Sequence, residues 1–490
     1  MRPFARPALA LVLAFLAVGA RAAPRPLDWE PSIVLIEAPR IQYDPAQPWS
    51  RQEASTQKTG VAVSSSEILT TADWLQDATM VRVQKEGRGA WRQARLSWVD
   101  YHANLATLTV SDPSFWKGLR PAPLARRAPA EGEVQIHRFS DDLAQTWPGS
   151  VSKVLVRPSQ RSFVHVLTLE IVSEINGAGW SEAVVKGGQL VGLVSGQAGN
   201  RLLAIPSPFI RFVLAARGKK PYAGLGYYDF DWEYAKNPAV ARFLGLDGEP
   251  RGVIVTAVSE TSAFAPALKP RDLILAIDGF PIDANGDYQD PEYGRLSFYN
   301  LETRGRLAGD EVRFQLWRER KLVEVSARLP KADYAADLVP AAVYDRPPEY
   351  LVAGGLVLQP LTVPTLQAWG ANWWSTAPFR LGHYARQEAT KQQPHRVFLS
   401  TVLPDPFNLG YQDYSSLVVD KINGRGVSSV AEALEALRRP EGGFHLVEFV
   451  ASGDVQRLVL DASRLDEATA RVLKRYGIQR PYFINAPATP

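Results

Sequence analysis

Two stretches of this chain, LILAIDGFPI at 273–282 and LVVDKINGRGV at 417–427, have the same build: an apolar strand, an Asp or Asn followed by Gly, and a second short strand. Gly supplies the positive φ that such a tight turn needs. Around each copy the pattern reads strand, helix, strand, strand-turn-strand, helix, strand, strand. The chain therefore holds an internal repeat of a small α+β unit, which binds about half of its 490 residues to that architecture. At ~150 residues per domain, the length leaves room for one further domain. Hydrophobic residues at 46% and charged residues at 22% exclude a largely disordered chain, a collagen and a coiled coil. The 37 Pro and 36 Gly are spread throughout, as in a β-rich chain with many turns. With no Cys, there is no disulfide framework, thiol nucleophile or Cys-based zinc site.

At the N-terminus, Arg2 and Arg6 precede an apolar run over 8–18, followed by Ala20-Arg21-Ala22. This is the pattern of a secretory signal peptide over 1–22, and the run is short of the ~20 residues a membrane span requires. Cleavage after Ala22 leaves 52 Lys+Arg against 51 Asp+Glu, a formal charge of +1. The basic isoelectric point is then no sign of nucleic-acid binding, and no basic stretch interleaves with aromatics. The expected location is periplasmic or secreted, with no integral membrane segment after cleavage.

Short runs at 32–36, 60–63, 80–84, 105–110, 134–137, 163–171 and 189–195, separated by turns, predict a sandwich or barrel over the first region. IPSPFIRFVLAA at 205–216 predicts a short closing helix ended by Gly218. In the second repeat, SSVAEALEALRR at 428–439 predicts a helix capped by Ser428 or Ser429, with Val430, Leu434 and Leu437 on one stripe. The runs on either side of Ser452-Gly453-Asp454 predict a hairpin, and 466–476 a last helix.

Three stretches of the first region together resemble the Deg/HtrA serine proteases. EILTTADWL (67–75) is similar to the family's I-L-T-N-A-H-V-V, DYHANLATLTV (100–110) to D-x-x-x-D-[LI]-A-L-L-x-V, and EINGAGWSEAVVKGGQLVGLVS (174–195) to the segment around G-N-S-G-G-P. The style of FWKGLRPAPL (115–124) and YLVAGGLVLQPLTVP (350–364) resembles the long-form plant and bacterial type. The resemblance implies a mostly β chain: a chymotrypsin/trypsin-like double β-barrel at 31–217, PDZ-like α+β domains at 222–332 and 340–462, and a C-terminal helix and tail at 463–490. It also implies trimers or multiples of trimers, or mixed oligomers with a Deg paralogue.

The departures from the family pattern bear on function. Asp73 stands where the family has its catalytic His, and Asn104 where it has the orienting Asp. The nucleophile position falls on Trp180, with Ser181 as a fallback in a shifted register. A serine hydroxyl must lose its proton to a base that a buried carboxylate orients. A carboxylate of pKa about 3.9 is a weak base for that task, Asn104 does not stabilise a protonated base, and Trp180 offers no nucleophile. Glu182 places a negative charge beside the Gly-rich turn that would bind an oxyanion. The expectation is an inactive homologue of serine endopeptidases. An improvised triad of Asp100, His102 and Ser181 is the enzymatic alternative.

His137 and His165 read as satisfied imidazoles, His383, His395 and His445 lack metal-ligand spacing, and no metal or cofactor is expected. The pair Trp373-Trp374 reads as core packing at a domain edge. The PDZ-like repeats carry the positive expectation, which is binding of peptide C-termini or unfolded segments by strand addition. Gly224-Leu225-Gly226-Tyr227 fits a loop whose N–H groups converge on a terminal carboxylate, and Gly354-Gly355-Leu356-Val357 is its counterpart in the second repeat. The functional expectation is an exported pseudoprotease acting as scaffold, regulator or holdase. The alternatives are an active endopeptidase with a displaced triad and a structural subunit of mixed Deg oligomers.

Overall fold

The computed structural model describes residues 29–140, 143–219, 221–451 and 455–485. The predicted signal peptide and the 452–454 turn lie outside the described residues. The chain is mostly β. Six strands close the first barrel: β1 (Ile33–Tyr43), β2 (Arg51–Ala62), β3 (Ile68–Thr70), β4 (Val81–Lys85), β5 (Arg92–Asp100) and β6 (Leu105–Thr109). Six more close the second: β7 (Gly132–Ser140), β8 (Leu143–Pro158), β9 (His165–Val172), β10 (Ala183–Lys186), β11 (Gln189–Ala198) and β12 (Arg201–Pro206). Closure removes the exposed edges that open sheets must otherwise protect. Both barrels contribute to one shared apolar cluster, which includes Trp29, Ile33, Leu69, Leu105, Phe139, Ala183 and Leu193. The cleft between them is therefore held by buried side chains rather than by a flexible joint.

The helix α1 (Ser207–Arg217) follows. Pro206 leads into it, Phe209, Ile210, Val213 and Ala216 face inward at helical spacing, and Gly218 ends it.

The first repeat builds a sheet of order β13-β14-β15-β19-β20 from β13 (Asp231–Tyr234), β14 (Val253–Ala257), β15 (Leu273–Ile277), β19 (Glu311–Arg318) and β20 (Lys321–Arg328). The short helix α2 (Pro238–Phe243) lies between β13 and β14, and β16 (Phe280–Pro281) turns back on β15. The second helix expected here shrinks to α3 (Asn300–Thr303), preceded by a separate hairpin of β17 (Asp287–Asp290) and β18 (Gly294–Ser297). The reason is local polarity. Asp283 Oδ1 accepts from Asn285 N and Asp287 N, and Asp290 Oδ1 from Glu292 N and Tyr293 N, so side chains close the turns that a helix would need to run through.

The second repeat forms a larger sheet of order β27-β26-β24-β23-β22-β21-β28. Its strands are β21 (Tyr350–Ala353), β22 (Leu356–Pro360), β23 (Val397–Val402), β24 (Leu417–Ile422), β25 (Arg425–Gly426), β26 (Phe444–Phe449), β27 (Arg457–Asp461) and β28 (Tyr482–Phe483). Between β22 and β23 run three short helices, α4 (Val363–Leu366), α5 (Trp373–Thr376) and α6 (Phe379–Gly382). Trp373 packs against the buried cluster around Leu361 and Leu381, as expected, whereas Trp374 is 61% exposed, so half of the pair departs from the core packing expected of it. The helix α7 (Val430–Leu437) is capped by Ser429 and buries Val430, Ala433, Ala436 and Leu437, with the smaller alanines taking the place expected for Leu434. The helix α8 (Leu465–Tyr476) ends at Gly477 in the left-handed region.

Candidate functional site

The two barrels bring Asp73, Asn104 and the 178–182 turn together. Asp73 N donates to Asn104 Oδ1 at 2.9 Å, joining the first two positions directly. Asn104 sits at φ +51°, in a turn closed by its own N–H on Tyr101 O and by Ala103 N on Asp100 Oδ1. The Asp73 carboxylate, which reaches across to the second barrel, accepts from Arg161 Nε. Trp180 O accepts from Thr59 N at 2.8 Å, and its ring lies 5.5 Å from Trp74, itself covered by the Arg40 guanidinium. Ser181 is fully buried, and its Oγ accepts from Thr71 N at 3.0 Å, so the hydroxyl faces the first barrel's backbone.

The N–H groups that could stabilise an oxyanion are already engaged. Glu182 Oε2 accepts from Gly179 N at 3.0 Å and from Trp180 N at 2.9 Å. Burial pushes this carboxyl above its ordinary range, and the two N–H bonds oppose that shift. A second negative oxygen arriving at the same donors would meet a resident charge. Gly179 also approaches the opposite wall closely. A Cβ there would lie 3.2 Å from Gly196 Cα, so the turn is shut against β11.

Lys58, which the sequence reading did not single out, fills the floor. It is buried, and Nζ donates to Thr71 O at 2.7 Å, Thr71 Oγ1 at 2.8 Å and Asp73 O. Burial pushes its ammonium down to about 7, against the opposing pull of Asp73 and Glu182. Nothing local marks this Lys; only the folding of TQKTGVA beneath the 71–73 turn reveals its role.

One imidazole does meet a hydroxyl. His102 Nδ1 lies 2.7 Å from Ser162 Oγ, so the Ser181 partnership expected of His102 is replaced by one with Ser162. The supporting carboxylate is committed elsewhere: Asp100 Oδ1 takes Ala103 N, and Oδ2 takes the Tyr222 hydroxyl at 2.7 Å. The Tyr334 ring lies flat on the imidazole, with centroids 4.0 Å apart. Burial lowers the His102 pKa, with Asp100 and Asp333 opposing.

The two glycine loops differ from an open carboxylate-binding loop. Leu225 is buried in the cluster the barrels share, and Tyr227 packs edge-on to Phe163 of the second barrel at 4.8 Å. Gly226 bridges to Lys331, and a Cβ on it would lie 2.7 Å from Leu329 Cβ. Just beyond, Tyr228 N donates to Glu302 Oε2 at 2.9 Å, and the other oxygen of this buried carboxylate takes His165 N at 2.6 Å. Gly354 and Gly355 are the turn of the β21–β22 hairpin, and Leu356 and Val357 are buried. Strand β22 is paired on both sides, by β21 and β23, and β28 covers the outer side of β21. An incoming strand finds no free edge on β22.

His137 stacks on Trp29, and no group of three or more His, Cys, Asp or Glu able to hold a metal occurs among the described residues.

A family model described as a PDZ domain matches residues 339–482. The "Putative protease Do-like 11, mitochondrial" of Arabidopsis thaliana is 24% identical over 91% of this chain and 74% of its own length. The "Protease Do-like 2, chloroplastic" of the same plant is 25% identical over 91% of this chain and 74% of its own. Among solved structures, "HtrA-type protease AlgW with decapeptide" is similar at 18% identity, with a TM-score of 0.47, over 61% of this chain and 95% of that one.

Proposed function

We propose, from the premise that this chain is a DegP-like relative of the Deg/HtrA proteases carrying a PDZ domain, that it is an exported pseudoprotease that binds extended peptide segments. The observation that carries this reading is Glu182. Its carboxylate occupies the Gly179 and Trp180 N–H groups at the point where Asp73 and Asn104 meet the turn. At the turn the Ser181 hydroxyl is buried against Thr71 N, and acyl transfer needs an accessible hydroxyl, a base beside it and vacant oxyanion donors. The relatives named above are called proteases, and the pseudoprotease reading rests on this chain's own residues alone. Location in the periplasm or outside the cell rests on the signal-like segment at 1–22. No helix among the described residues is long and apolar enough to cross a membrane.

Peptide binding is supported by β13, which ends the first repeat's sheet with one side unpaired. An extended segment of an unfolded protein adds there through main-chain hydrogen bonds. The closed 224–227 loop favours internal segments over free C-termini. Scaffold, regulator or holdase roles follow from such binding, as do homo-oligomers or mixed assembly with an active paralogue, which co-purification tests. Pro cannot donate to a ladder, so Glu233→Pro and Tyr234→Pro sample the two hydrogen-bonding phases of β13. The outward phase is expected to lose binding of unfolded casein with little loss of stability. Full binding by both variants would remove β13 from the account.

A second reading is favoured by the Ser162–His102 bond, a hydroxyl–imidazole pair beside the cleft. It predicts casein turnover that Ser162→Ala abolishes and Ser181→Ala leaves intact. The pseudoprotease reading predicts no turnover by the native chain.

A further inference from the structure

The segment that joins the two repeats does not take the shortest path. Residues 333–346 lie beside the inter-barrel cleft and touch three loops, two of the first barrel and one of the second. Tyr334 stacks on His102, and its hydroxyl donates to Arg161 O at 2.6 Å. Tyr344 packs against Tyr101 at 4.6 Å and against Tyr334 at 5.2 Å. Asp345 Oδ1 accepts from Asp77 N at 2.9 Å, and Oδ2 from the Tyr101 hydroxyl at 2.7 Å. The Asp77 carboxylate in turn accepts from the Asp345 and Arg346 amides. The contacted loops are those of Asp73–Asp77, Asp100–Asn104 and Arg161–Phe163, the walls of the candidate site.

These are the contacts of a bound peptide. Aromatic rings stack on partly exposed rings, a tyrosine hydroxyl reads a main-chain carbonyl, and a carboxylate reads a main-chain N–H. Arg161 is paired with Asp73, and Arg40 lies over Trp74. Between its two contact points the segment is anchored elsewhere. Leu338 and Val339 are buried with Leu361, Leu381 and Tyr384 of the second repeat. The middle of the segment therefore belongs to the second repeat, and only its two ends meet the barrels. One contact is weak by construction: burial and the Asp345 charge push the Asp77 carboxyl up to about 6, the mark of two carboxylates held close.

We propose that residues 333–346 are a resident ligand of the inter-barrel cleft, and that the opened cleft takes an extended peptide in which a tyrosine precedes an acidic residue. The proposal rests on the reading of the cleft as catalytically empty, and it names what the cleft binds in place of a scissile substrate.

The test uses the full chain and a fluorescein-labelled synthetic peptide, ADYAADLVPAAVYDRP, matching residues 332–347. The Y334A/Y344A/D345N variant is expected to bind it about ten-fold or more tightly than the native chain does, a shift readable by fluorescence polarisation. Adding R161A and Y101F to that variant is expected to reduce the gain through Y101F, which removes the hydroxyl that Asp345 accepts from, while R161A, which leaves the main-chain carbonyl that Tyr334 donates to, reports on the Asp73 pair at the cleft. Should the triple variant fail to fold by circular dichroism, D345N alone is measured, with a gain in the same direction. Equal binding by the native chain and a folded opened variant, no binding by either, or a gain that R161A/Y101F leaves undiminished would overturn the proposal. Proteolysis by the native chain would sink the pseudoprotease reading while leaving the peptide titration intact, so the two failures are distinguishable.

Discussion

The two repeats solve the same turn identically and then part company at the sheet edge. In the first, Asp278 and Gly279 are both at positive φ; Asp278 N donates to Arg313 O, and its Oδ1 takes back Arg313 N. In the second, Asn423 and Gly424 adopt the same geometry and exchange the same two bonds with Leu446. This is the two-residue hairpin turn in which Asp-Gly and Asn-Gly are favoured, with the side chain extending the ladder by one bond. At the edge the repeats diverge. The first leaves one side of β13 unpaired and presses its glycine loop onto the barrels. The second encloses β22 between β21 and β23 and seals β21 with β28. The strand after the first glycine loop keeps an open side; the strand after the second does not. A shared turn motif thus reports a shared fold but says nothing about whether the fold's groove is open.

Proline scanning breaks this comparison most sharply. Leu358→Pro in the enclosed strand removes a ladder bond or forces a bulge, a loss of about 3 kcal/mol or more. The better tolerated of Glu233→Pro and Tyr234→Pro, on the free side of β13, is expected to cost under about 1 kcal/mol. Urea denaturation checks both, and equal losses would mean that β13 is not an open edge.

Next comes the turn itself. Asn423 Nδ2 donates to Ala436 O at 2.9 Å and Arg439 O at 3.0 Å, tying the hairpin to the end of α7. Asn423→Asp would set a buried carboxylate against two carbonyls, at a cost of about 3 kcal/mol. Asp278 instead takes the Arg306 guanidinium, so Asp278→Asn is expected to cost about 1 kcal/mol. Melting curves for the pair should show that order.

Glu302→Ala removes the carboxylate joining Tyr228 N of the first repeat to His165 N of the second barrel. A loss of about 1–3 kcal/mol is expected, with faster amide hydrogen exchange at both positions. No change in exchange would mean that the first repeat is held to the barrels without it.

The effect in the barrels shows only as a dependence on pH. Lys58 has a folded pKa of about 7, below its ordinary 10.5. Between those values the unfolded chain holds the extra proton, so this group makes stability rise with pH from about 7 toward 10.5 and contributes no slope below. Lys58→Met should flatten that rise relative to the native chain; an unchanged slope would place the Lys58 ammonium in water.

Much of this architecture was legible in local pattern. Apolar runs marked seven of the twelve barrel strands, although β1 and β2 extend well beyond their runs and β5, β8, β10 and β12 had none, and Pro206, Pro208 and Gly218 bracketed α1. The Asp-Gly and Asn-Gly turns marked both repeats. The β17–β18 hairpin was missed because side-chain carboxylates, rather than periodicity, define its turns. The resemblance led to Asp73, Asn104 and the turn at Trp180, which the fold brings together. What packs around them was not legible. Lys58, Arg161, Glu302 and the 333–346 segment act through partners distant in sequence, and no spacing rule connects them.

Labelling of the intact chain with a serine-reactive fluorophosphonate, read by mass spectrometry, tests the central claim most directly. The account predicts an unmodified mass for the native protein and for the Ser162→Ala and Ser181→Ala variants alike. Stoichiometric modification of the native chain, lost in either variant, would contradict it.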